Sequence, residues 1–103
     1  YHCRHLSGFD FSKLEHRILR DGAYETDLPA IRNDISHSGA AYSVSDFTTA
    51  QKLSPKPLKF TLPGPLTIMD TTADCFYDDR PRLNKVLAET INKEILALVD
   101  AGC

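Results

Sequence analysis

The residues best suited to chemistry are four histidines and three cysteines, and their spacing decides what they can do. His2-Cys3-Arg4-His5 sets nitrogen and sulfur donors side by side, the ligand types zinc prefers. No second cluster follows at a usual ligand spacing, so no residue is assigned to a metal. His16, between Glu15 and Arg17, and His37, in a polar turn, each read as a solvated side chain, because isolated histidines make no constellation. Cysteines at 3, 75 and 103 are odd in number and form no close pair, the pattern of reduced thiols in a cytoplasmic protein rather than of a disulfide scaffold.

A second candidate is the stretch from Pro63 to Asp74, where Thr67, Asp70, Thr71 and Thr72 offer hydroxyls and a carboxylate to a polar ligand. The plainer reading of the same stretch is an ordinary polar loop. Just before it, Lys59 and Thr61 alternate with Leu58, Phe60 and Leu62. If the apolar three pack under helices, the lysine faces an enclosed side and must be paired or near water. It is then a candidate for an acidic substrate group, or equally one half of a structural ion pair. No catalytic residue is assigned within the chain.

The elements that would position these residues are read from periodicity. Ser12 with Glu15 fits a capping-box start and predicts a short helix to Arg20, ended by Asp21-Gly22. Leu28 to Ile35 reads as a short strand, and Ser36 to Ala41 as a loop. Ser43 to Leu53 reads as a helix capped by Ser45, with Phe47, Ala50 and Leu53 at three-residue steps. Pro57 to Leu62 reads as a strand that leaves its sheet sharply at Pro63-Gly64-Pro65. Pro81 to Ala101 predicts a helix about 31 Å long, with Gly102 as its exit. Its expected apolar stripe is Leu83, Leu87, Ile91, Ile95, Leu98 and Val99, with Glu89 and Lys93 paired on the outside.

This order, with connections long enough for parallel crossovers, argues for an α/β protein. Two strands cannot close a parallel sheet, and a barrel of eight strand–helix units needs about 250 residues. The chain has 103, begins at Tyr1 and ends just past a helix-stop glycine. The expectation is a section of a larger α/β domain, with a self-sufficient small α/β module as the alternative. A net charge of −2 argues against a nucleic-acid or anionic-membrane surface, and no apolar run approaches a membrane span. The expected partners are small molecules.

The run Lys56-Pro57-Leu58-Lys59-Phe60-Thr61-Leu62-Pro63-Gly64-Pro65-Leu66-Thr67-Ile68 resembles the catalytic barrel of the cobalamin-independent methionine synthases. Pro29 to Ile35, Ala50-Gln51-Lys52-Leu53 and the helix from Asn92 to Gly102 extend the likeness, which covers roughly residues 28–103 and is nearer the short, single-barrel members. The resemblance implies a partial (β/α)8 barrel and, as activity, transfer of a methyl group from 5-methyltetrahydrofolate to the thiol of homocysteine. It implies zinc as cofactor, with ligands and general acid outside this chain, so that the chain alone is expected to be inactive. It also assigns substrate positioning to Gly64, Pro65 and Thr67, and places Thr71 where the long enzymes carry a folate-stacking tryptophan. Tyr24 and Glu25 fall where the family has an Arg-Cys pair. Both departures touch the methyl donor's pocket and leave open a different folate or another methyl compound. Decarboxylases and corrinoid- or coenzyme M-linked alkyl-thiol transferases of the same superfamily carry similar turns and remain the alternative enzymes.

Overall fold

The computed structural model describes residues 1–103. After a 3-10 turn at His2–His5, β1 (Phe9–Leu19) and β2 (Tyr24–Ile31) form a hairpin, followed by α1 (Tyr42–Leu53), α2 (Pro65–Asp70), β3 (Ala73–Asp74) and α3 (Arg80–Asp100). The sheet order is β1-β2-β3; the first pair is antiparallel and the second parallel, through Ala30 with Ala73 and Ile31 with Asp74.

β1 replaces the helix expected over Ser12 to Arg20. The capping box fails because its groups are taken elsewhere: the Ser12 N–H and hydroxyl both donate to Asp10 (2.8 and 2.6 Å), and Glu15 pairs with Arg32 at 2.8 Å. Arg32 also donates to Asp10 at 3.1 Å and to the Lys13 carbonyl at 3.0 Å, pinning the register shift between Asp10 and Glu15. Cross-strand pairing with β2 then outweighs local helix propensity. The turn at Arg20–Asp21–Gly22 has φ of +51°, +54° and +86°, the left-handed geometry that tight hairpins require. At the other end of β1, Gly8 (φ +92°) leaves no room for a side chain, since a Cβ there would meet the Asn33 carbonyl oxygen at 2.7 Å.

The segment from Pro57 to Leu62 is not a strand. Leu58, Phe60 and Leu62 are half-buried while Lys59 and Thr61 are exposed, so the expected alternation is present. No neighbouring strand forms a ladder with it, and the exposed Lys59 does not face an enclosed side. The turn after it also differs from expectation. Gly64 is the N-cap of α2 and Pro65 its first residue, where a missing N–H costs nothing. The expected loop to Asp74 is therefore a short helix plus β3, and the strand order is hairpin first rather than alternating with helices.

α1 and α3 lie where periodicity put them, with different caps. Ser45 caps nothing, and α1 begins at Tyr42 behind Ala41. For α3 the cap is Asp79, which accepts the Arg82 N–H. Its exit is a Schellman turn: Gly102 (φ +96°) donates to Val99 O and Cys103 to Leu98 O, both at 3.0 Å. Leu83, Leu87, Ile91 and Leu98 are buried, but Ile95 and Val99 are exposed and Glu94 takes a core position instead. Successive steps of four residues drift about 40° round a helix, so a stripe extended that way from Leu83 leaves the core face. Glu89 meets Lys85 at 4.0 Å instead of forming the expected pair with Lys93. The core joins Leu6, Ile31 of β2 and Ile35 beyond it, Ile68 and Met69 of α2, Tyr77, and Leu83, Leu87 and Ile91 of α3.

Candidate functional site

Gly64, Pro65, Thr67 and Thr71 all belong to α2 and its caps, but the helix separates them. The first three stand at or near its N-terminal end, and Thr71 closes the other, about 9 Å away along the axis. The Thr71 hydroxyl donates back to Thr67 O at 2.8 Å and Ile68 O at 3.3 Å, and Thr72 likewise donates to Ile68 O at 2.7 Å. These hydroxyls terminate the helix and keep only acceptor capacity for a ligand.

Thr71 opens on a cleft of about 480 Å³ between the hairpin tip, the C-terminal end of α2, β3 and the start of α3. That volume is within the usual range for small-molecule sites. Gly64, Pro65 and Thr67 do not line it, whereas Tyr24 does. Thus Thr71 and Tyr24, distant in sequence, face one cavity. The same cleft carries Arg17, Arg20 and Arg80 beside Asp70 and Asp74. Arg80 reaches Asp70 at 3.5 Å across exposed surface. The Asp74 carboxylate accepts the backbone N–H groups of Phe76 (3.1 Å), Tyr77 (2.8 Å) and Asp78 (3.0 Å).

A different polar group lies inside the molecule. Glu94 is fully buried; one carboxylate oxygen accepts from His37 Nε2 at 2.6 Å, and the other from the Ser43 N–H at 2.6 Å and from the Ser43 hydroxyl. The Gly39 N–H donates to His37 Nδ1 at 3.1 Å, so the proton of the neutral ring sits on Nε2, facing the carboxylate. Burial pushes the Glu94 carboxyl upward, and the hydrogen bonds from His37 and Ser43 outweigh it and hold it below the usual range. Tyr42, beside them, is pushed up to about 12 by burial and then by the Glu94 charge. Since α1 has no side-chain cap of its own, Glu94 supplies one from α3. Ser43 is no nucleophile here: it is buried and its hydroxyl faces a carboxylate instead of the imidazole. His37 is thus not the solvated side chain expected of a polar turn. Glu94 went unnoticed in the sequence, although a glutamate three residues after Ile91 and four before Leu98 holds a core register.

The remaining histidines do not build a metal centre. His2 and His5 pack with Tyr1 around Tyr42, His5 stacking on it at 4.7 Å between centroids, and burial raises the neighbouring Cys3 thiol away from the thiolate form. His16 places Nε2 on Glu25 (2.7 Å) and Nδ1 on Asp27 (3.0 Å), so its partners bind different ring nitrogens and do not converge on one point. No three histidine, cysteine or carboxylate side chains are grouped to hold an ion, so the donor set does not fit zinc. No helix is long and apolar enough to cross a membrane.

No family model matches the sequence. Among solved structures, a B12-independent methionine synthase from Shewanella sp. W3-18-1, in complex with selenomethionine, is 34% identical to this chain. The match has a TM-score of 0.87 and covers 98% of this chain but 29% of that one. The chain therefore spans less than a third of the length of this relative. The likeness to the cobalamin-independent methionine synthase family, read first in the run from Lys56 to Ile68, is shown in both sequence and fold over nearly the whole chain.

Proposed function

We propose that this chain forms part of a cytoplasmic, zinc-dependent methyltransferase that moves a methyl group from 5-methyltetrahydrofolate to the thiol of homocysteine, giving methionine. The observation that carries the reading is 34% identity with a TM-score of 0.87 over 98% of the chain. Within it, the chain is a section of a (β/α)8 barrel. Leu58, Phe60 and Leu62 would pack under helices once neighbouring strands flank them, turning Lys59 and Thr61 inward.

The chemistry asks for two things. A thiol, mostly protonated at neutral pH, has to react as thiolate, a state that zinc held by residues outside this chain would supply. The folate amine needs a proton as it leaves. This chain's own residues serve neither demand; they bind and orient. Gly64, Pro65 and Thr67 fix the turn at the barrel mouth, and Thr71 with the cleft beyond it positions the donor. Alone, the chain is expected to transfer no methyl group.

One observation favours a second reading, a related transferase with another donor. Thr71 and Tyr24, one residue from each of the two departures in the family's donor pocket, line the same cleft, whereas Glu25 does not. Complementation separates the readings. The Shewanella enzyme, with its matching segment replaced by this chain, should support growth of a methionine auxotroph on homocysteine. A chimaera that is soluble and folded yet gives no growth would contradict the methionine reading.

A further inference from the structure

The outer part of the hairpin, residues 15–28, is an arm in which only Leu28 is buried. The joint at its base is not a continuous ladder. Strand pairing holds Phe9 to Ile31 and Asp10 to Ala30 on the body side, and runs from Glu15 with Leu28 to Leu19 with Tyr24 along the arm. Between them Phe11, Ser12, Lys13 and Leu14 stand opposite Pro29 alone, which has no N–H to give. Such a bulge bends a strand and leaves its angle to be set by other contacts. Here Arg32 makes them. Its Nε donates to Asp10 at 3.1 Å on the body side, and its Nη2 to the Lys13 carbonyl at 3.0 Å inside the bulge and to Glu15 at 2.8 Å on the arm. Asp10 in turn holds the bulge by accepting the N–H and hydroxyl of Ser12. Past Glu15 the arm has one polar side-chain contact with the body, Arg17 Nη2 to the Cys75 sulfur at 3.8 Å.

The arm's far end makes one wall of the cleft at Thr71, through Arg17, Ile18, Leu19 and Tyr24, while the facing wall, Met69 to Asp74, belongs to the body. The width of the cleft therefore follows the angle at the joint. We infer that Arg32 is a positioning residue for the methyl donor: by bridging Asp10 and Glu15 it fixes the arm against the body and holds Tyr24 at its distance from Thr71. A guanidinium suits this task, because its nitrogens form one rigid fork that serves both sides of the joint together, whereas an ammonium on a flexible stem is a single point charge. This role rests on the donor reading of the cleft and adds what sets the cleft's shape; Arg32 itself does not line it.

Two measurements on Arg32→Gln test it. In the 103-residue chain, residual dipolar couplings report how firmly the arm is oriented on the body, and amide exchange reports whether the arm is still paired. The couplings of the arm should shrink relative to those of α3, while its cross-strand amides stay as slow to exchange as in the parent. In the Shewanella chimaera, KM for 5-methyltetrahydrofolate should rise about tenfold, since a misplacement of about 1 Å is enough for that, with KM for homocysteine unchanged. Arg32→Lys, which keeps the charge but not the fork, should fall between in both. Should Arg32→Gln not fold, Glu15→Gln, which frees only the arm's side of the joint, takes its place with the same expectations. Couplings equal to the parent's, an arm that unpairs in an otherwise folded chain, or a folate KM that rises no more than that for homocysteine would overturn the inference. A parent chimaera that makes no methionine strikes the methyl-transfer reading instead, and the couplings then decide whether Arg32 holds the joint.

Discussion

Two polar regions of this molecule contain similar chemistry in opposite states. Around Glu94 each carboxylate oxygen has a donor, and the groups that supply them are buried with it. Around Arg20 the guanidinium has no hydrogen-bonded partner and stands open to solvent over the Tyr24 ring. A saturated polar cluster is worth most as structure, because removing any member strands the rest. An unsaturated one adds little to folding and is free to receive a ligand. Histidine, serine and glutamate in contact would ordinarily invite a catalytic reading, yet here the closed hydrogen bonding argues for a clamp between α1 and α3.

The largest expected effect comes from opening the clamp. Glu94→Ala strands the Ser43 N–H and hydroxyl and the His37 N–H in the interior, and should cost about 3–5 kcal/mol in chemical denaturation. If it costs less than about 1 kcal/mol, roughly the net worth of an ordinary hydrogen bond, the clamp is not structural. Next in size is the response to acid. The Glu94 carboxyl is held below its ordinary 4.5, so its contribution is complete above that value and is lost as pH falls through the depressed one. Melting temperature should fall more steeply below pH 4.5 in the parent chain than in Glu94→Gln; parallel profiles would contradict the assignment.

The cleft should behave in the opposite way. Arg20→Gln removes no internal bond, so its unfolding free energy should stay within about 0.5 kcal/mol of the parent. A larger loss would show that the guanidinium supports the hairpin. The smallest effect is expected at His16, whose ring is raised above its ordinary 6.5 by hydrogen bonds to Asp27 and Glu25. Its support for the hairpin is complete below pH 6.5 and fades as pH rises through the raised value. Because the ring and both carboxylates are exposed, His16→Gln should only flatten a slight decline in stability with rising pH.

How much of this was legible in the sequence depends on how local each cause is. α1 and α3 came through because a helix face repeats within the segment itself, and the exit at Gly102 is set by one residue. β1 did not, since the partners that cancel its capping box, Asp10 and Arg32, lie outside the capping motif. For Leu58 to Leu62 the alternation was read correctly but needs a neighbouring strand to become a ladder. The clamp was hidden by stepping four residues at a time along α3, which selected Ile95 over Glu94. At the candidate site, Thr71 was reached through the family likeness, whereas the arginines were not, because the hairpin that carries two of them had been read as a helix.

The central claim is that these residues work as part of a methionine-forming methyltransferase. The most direct measurement uses the purified Shewanella chimaera, supplied with zinc, homocysteine and 5-methyltetrahydrofolate labelled in its methyl group. The account predicts label appearing in methionine with the chimaera and none with the 103-residue chain alone. A folded, zinc-loaded chimaera that leaves the label on the folate, or an isolated chain that transfers it, would contradict the account.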